Sequence, residues 1–142
     1  IGKPQDVYDD PVNLFVATFL GTPPINVFEG RVQNEKLYIG EEAVLSVKGV
    51  ADQEVTAAIR PEGFELDSEG AFTCDLSRVE VMGRDISVVC QHKAFTGAAI
   101  RAIIRSENLT DISGTSVRFN LMPHKVFLFS KSDDKRIRFD AR

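Results

Sequence analysis

Apolar residues change their period once along this chain. Over the first stretch, Val12, Phe15, Val16, Phe19 and Leu20 recur at intervals of three and one, which places them on a single stripe of a helix. Its ends are marked by Asp10, suited to cap the first free amides, by Pro11 at the first helical position and by Gly21 at the close. Pro23 and Pro24 forbid continuation. From Val27 onward the period falls to two, the signature of strands with one buried face. Val55, Ala57 and Ile59 alternate with Glu54, Thr56 and Ala58, and Ile86, Val88 and Cys90 alternate with Asp85, Ser87 and Gln91. Ile100, Ala102 and Ile104 leave Arg101 and Arg105 outside, and Val117, Phe119 and Leu121 alternate with Ser116, Arg118 and Asn120. Between Ala71 and Met82 the apolar phase slips from Phe72, Cys74 and Leu76 to Val79 and Val81, which requires a bulge near Ser77 and Arg78. The expected fold class is mainly β, a small closed or partly closed barrel, or two lobes of one, built from short antiparallel strands and preceded by one N-terminal helix. Residues 1–26 read as a helical linker and residues 27–142 as the barrel domain.

Composition narrows the function classes. The 142 residues carry 17 basic and 21 acidic side chains, a formal charge of −4, and 43% are apolar, which is globular rather than disordered. No run approaches the length of a membrane-spanning helix, and the start lacks a signal-peptide pattern, so the expectation is a cytoplasmic protein. A chain that opens on Ile1 is expected to be a piece of a longer one. Charge is uneven: residues 118–142 hold seven basic and three acidic side chains, and residues 1–117 hold ten and eighteen. Cys74 and Cys90 lie in strand alternations and read as reduced core residues.

Catalytic constellations are missing. The pair Gly2-Lys3 runs into Pro4 and makes no phosphate-cradling loop, and His92 and His124 have no Cys or carboxylate at metal-ligand spacing. Serine nucleophile elbows and helical zinc motifs are absent. The stretch Ile112-Ser113-Gly114-Thr115-Ser116 reads as a turn between strands. No catalytic, cofactor-binding or metal-binding residue is expected.

Four blocks, in order, resemble one family. These are Gly2-Lys3-Pro4-Gln5-Asp6-Val7-Tyr8 with the segment from Pro11 to Asn26; Ile59-Arg60-Pro61-Glu62; Val79-Glu80-Val81-Met82-Gly83-Arg84-Asp85; and Val126-Phe127-Leu128-Phe129 with the turn from Ser130 to Lys135. Together they resemble the C-terminal regulatory domain of ATP-binding subunits of sugar-importing ABC transporters, of the maltose type. Lys3 departs from the family's usual threonine, and the ATPase domain lies outside the chain. The resemblance implies transport-associated barrels like the oligonucleotide-binding (OB) fold. It implies a non-enzymatic piece that works in a homodimer, with ATP and magnesium belonging to the absent domain and no cofactor here. Implied partners are the permease subunits and a regulatory protein such as a phosphotransferase enzyme IIA, at the inner face of the cell membrane. It places Glu80 and Gly83 in a regulatory face and Phe129 at a contact between regulatory domains, with either Phe127 or Phe129 exposed. Arg60 and Glu62 are expected as a surface pair orienting the loop after Pro61. Two alternatives remain. One is a small-oxyanion (molybdate-like) module, for which Lys93, Thr96 and Thr115 show no recognisable arrangement; the other is a nucleic-acid binder of the OB type. The isoelectric point near 5.2 and the lack of aromatics interleaved with basic residues speak against nucleic acid.

Overall fold

In the computed structural model, which describes residues 25–95, 99–105, 115–133 and 135–139, the period-two segments are strands. The expected helix at Asp10–Gly21 lies outside the described residues. Six strands form one antiparallel sheet: β1 (Asn26–Gln33), β2 (Lys36–Ile39), β3 (Glu42–Ser46), β4 (Gln53–Ile59), β10 (Val126–Ser130) and β11 (Arg136–Ile137), in the order β11-β10-β4-β1-β2-β3. The second sheet, inserted in sequence between β4 and β10, has the order β5-β9-β6-β7-β8. Its members are β5 (Phe64–Leu66), β6 (Phe72–Met82), β7 (Asp85–Gln91), β8 (Ile100–Arg105) and β9 (Ser116–Leu121). Its two edge strands, β5 and β8, come to lie beside each other, so the five strands curl into a nearly closed barrel of the OB-like kind.

The expected bulge is where the phase slip put it. Leu76 pairs with Cys90 and Arg78 with Val89, so Ser77 has no partner across the ladder, and the strand bends there. The bend lets one half of β6 pair with β9 and the other half continue along β7.

A contiguous core joins both sheets. Phe28 of β1 meets Phe72 of β6 edge-on at 5.4 Å, and Phe64 meets Phe119 at 5.1 Å, geometries that aromatic quadrupoles favour. Cys74 and Cys90 are free and buried within this core, and burial pushes both thiols up, Cys90 to about 12. Neither is a thiolate near neutral pH.

Two tight features shape the connections. In the Asn34–Glu35 turn both residues have positive φ, 53° and 59°, as a two-residue hairpin between twisted strands demands. Glu35 is an uncommon residue there, and two bonds hold it: its carbonyl accepts from Val47 N–H at 2.9 Å and its carboxylate from Gly49 N–H at 2.7 Å. At Gly70 a Cβ would lie 2.4 Å from the Phe119 carbonyl oxygen, so only glycine lets the loop before β6 lie on β9.

Three expectations need correction. Val81 is 74% exposed rather than core, because the β6–β7 hairpin runs past the packed part of the barrel. Thr56 and Ala58 are buried although they fall on the outward phase of β4. The reason is a second apolar cluster on the opposite face of the six-stranded sheet, formed by Ile25, Ala58, Phe127 and Phe129 with Val27 against it. Neither Phe127 nor Phe129 is therefore an exposed ring: they are 3% and 0% accessible, and β10 is buried on both faces.

Candidate functional site

Of the four blocks that carry the resemblance, the first lies almost wholly outside the described residues and the other three fall in different places. Glu80 and Gly83 share the β6–β7 hairpin. Arg60 and Glu62 flank Pro61 at the short 3-10 turn Pro61–Gly63, and Phe129 sits in β10. The structure joins only the first two.

Glu80 sits between two guanidinium groups. Arg78 on its own strand donates to one carboxylate oxygen at 2.8 Å, and Arg101 of β8 reaches across β7 to donate to the other at 2.9 Å. The two hydrogen bonds, from Arg78 first and Arg101 second, hold the Glu80 carboxyl below the usual range. Arg101 also contacts the Ser87 hydroxyl at 3.3 Å, so one arginine ties together three adjacent strands. Through these bonds Glu80 anchors the face of the sheet rather than the hairpin turn.

The turn itself is Gly83–Arg84, joining the pair Met82 and Asp85. Gly83 has φ +68°, a conformation that glycine adopts without strain, and no atom lies within 4 Å of where its Cβ would be. A partner's backbone can therefore approach. Exposed Val81 and half-exposed Glu80 precede this turn on one strand, so the projecting hairpin carries an apolar side chain on one face and a charged one on the other.

Arg60 is buried, 2% exposed, which overturns its reading as half of a surface pair, while Glu62 is exposed. The Arg60 guanidinium lies 5.4 Å from the centre of the Phe127 ring and that of Arg136 lies 4.6 Å from it. The backbone part of the expectation is met differently: Arg60 N–H donates to the Lys125 carbonyl and its own carbonyl accepts from Gly63 N–H, fixing the turn after Pro61.

Pattern reasoning missed two residues. Buried Asn26 presents its carboxamide to β8 as a strand would, its oxygen accepting from Arg101 N–H at 3.0 Å and its nitrogen donating to the Arg101 carbonyl at 3.0 Å. His92 packs against Phe28 and Phe72, and its Nδ1 accepts from Ala94 N–H at 3.0 Å, which requires the unprotonated nitrogen. Desolvation lowers its pKa. Of the residues weighed for an oxyanion, Lys93 and Thr115 are exposed on separate loops and Thr96 lies outside the described residues. Among the described residues no group of three or more His, Cys, Asp or Glu is placed to hold a metal, and no helix is long and apolar enough to cross a membrane.

Fold and face together define a β domain built on an OB-like barrel. By sequence the chain is related to the C-terminal part of sugar-importer ATP-binding subunits. It is 24% identical over its whole length to the sn-glycerol-3-phosphate import ATP-binding protein UgpC of Psychromonas ingrahamii, and covers 40% of that protein. The UgpC of a Ruegeria species is 27% identical over 96% of this chain and 38% of its own length. That of Escherichia coli K12 is 38% identical over 60% of this chain and 26% of its own. The chain thus spans about two fifths of the length of the first two relatives. No protein-family model matches it. Among solved structures, the cytoplasmic molybdate-binding protein ModG resembles it with a TM-score of 0.49 and 18% identity, over 74% of this chain and 95% of ModG.

Proposed function

We propose that the chain is the non-catalytic regulatory and dimerisation domain of the ATP-binding subunit of a carbohydrate importer. One observation supports this above all: the Psychromonas subunit matches the chain along its full length while leaving most of the subunit outside it. In this reading ATP and magnesium are handled by the nucleotide-binding domain of the same subunit, and the subunit sits at the inner face of the cell membrane against its permease partners. The domain pairs with its twin and receives a regulatory protein such as a phosphotransferase enzyme IIA. Phe129, buried in the second cluster, holds the six-stranded sheet rather than the contact. The face assigned to the contact is the β6–β7 edge with Glu80, Val81 and Gly83, where an exposed apolar side chain is poised to lose water on association.

Sedimentation equilibrium of the chain and of Val81→Asp tests this reading. Dimerisation that the substitution weakens at unchanged melting temperature supports it. A wild-type chain that stays monomeric to about millimolar concentration, far above what a standard interface requires, overturns the dimerisation role.

A further inference from the structure

The five-stranded barrel is open between β5 and β8, where among the described residues no ladder joins the two strands. Register fixes which backbone groups look into this seam. Met122 N–H donates to the Gly63 carbonyl and Asp67 N–H to the Arg118 carbonyl. Bonded pairs alternate along an antiparallel ladder, so Gly63, Glu65 and Asp67 turn their polar backbone groups to β9, and Phe64 and Leu66 turn theirs to the seam. On the other lip, the amide and carbonyl of Arg101 point away from β7 to Asn26, so those of Ile103, two residues on, point away from β7 as well. The seam is therefore lined by strand-edge donors and acceptors on both sides.

A cleft of about 390 Å³ occupies it, with Leu66, Ile103 and Met122 among its apolar lining and the carboxylates of Glu62, Glu65 and Asp85 at its rim. None of the three carboxylates is in an ion pair among the described residues.

We propose that this seam receives an extended, basic peptide segment of a partner protein. Its backbone meets the edge groups of Phe64, Leu66 or Ile103, its apolar side chains enter the cleft, and its lysine or arginine side chains meet Glu62 and Glu65. Strand edges recognise extended chains whatever their sequence, and the rim supplies the preference for positive charge. This surface meets the β6–β7 hairpin only at Asp85, and the inference does not rest on the transporter reading.

Amide chemical-shift mapping of the isotope-labelled chain tests it, with acetylated and amidated Lys-Val-Lys-Val-Lys as probe and the Glu-Val-Glu-Val-Glu peptide as control. The expected result is saturable shifts at Phe64, Leu66 and Ile103 with the basic peptide alone. Binding should weaken about tenfold in the double variant Glu62→Gln, Glu65→Gln, and again when salt rises from about 0.05 M to about 0.5 M. Both glutamates are exposed, so the variant keeps the fold. Equal shifts with the acidic peptide, shifts scattered over the other acidic surfaces, or no shifts with the basic peptide at about millimolar concentration overturn the proposal.

Discussion

A single carboxamide supplies three hydrogen bonds that no strand supplies at that point. Asn26 is 2% exposed, and besides its two bonds to Arg101 it donates to the Ile59 carbonyl at 3.2 Å. Asn26→Leu keeps the volume but strips Arg101 of partners for both backbone groups, and unsatisfied buried groups cost about 1–3 kcal/mol each. The expected loss is about 3 kcal/mol by urea denaturation. A loss below about 1 kcal/mol would show that the bonds are dispensable. Nothing local in the sequence marks this residue, because its partner lies 75 positions away. Gly83 was legible, since a glycine between two alternating runs reads as a hairpin turn. Arg60 was not: a cation beside a proline looks like surface, and the Phe127 ring it packs beside comes from a strand far along the chain.

Elements were read best where one face is dry and the other wet. Strands β8 and β9 follow their alternation, whereas β7 is buried on both phases from Ile86 to Cys90, Ser87 included, and the slip in β6 gave the bulge within a residue. Strand β10 was misread in its outward face, although Val126-Phe127-Leu128-Phe129 carried the warning: four consecutive apolar residues suit a strand buried on both sides. Val126 and Leu128 enter the main core while Phe127 and Phe129 enter the second cluster. Phe129→Ala is therefore a folding lesion. It should cost about 3–5 kcal/mol, as phenylalanine truncation in a core does, and lower the thermal midpoint at all protein concentrations. A Phe129→Ala chain of wild-type stability would show that this cluster contributes little to holding the sheet.

At the scale of the molecule, the two sheets are linked where the loop after β7 lies on β1: Glu29 N–H donates to the Ala94 carbonyl, and Phe28 and Phe95 bridge. His92 sets that loop through its unprotonated Nδ1. Its pKa is lowered from 6.5 by desolvation chiefly, with Lys93 in the same direction and Glu42 and Asp75 opposing. Because the unfolded chain takes up the proton first, the stabilising contribution is complete above pH 6.5 and is lost as the pH falls below it. Thermal midpoints should drop more for the wild type than for His92→Phe between about pH 8 and about pH 5.5. Parallel curves would remove His92 from this role. The sequence announced a barrel but not the division into two sheets, because β10 returns to β4 across the entire second sheet and no local pattern encodes a pairing of that range. That return has a consequence for how the chain is made. While a ribosome is still delivering the residues of β5 to β9, the flank of β4 that will receive β10 stands bare, with Val55, Ala57 and Ile59 along it. The hydrophobic edge is sealed last, by β10, so termination between Leu121 and Val126 releases a product whose five barrel strands are all present and whose outer sheet is sticky.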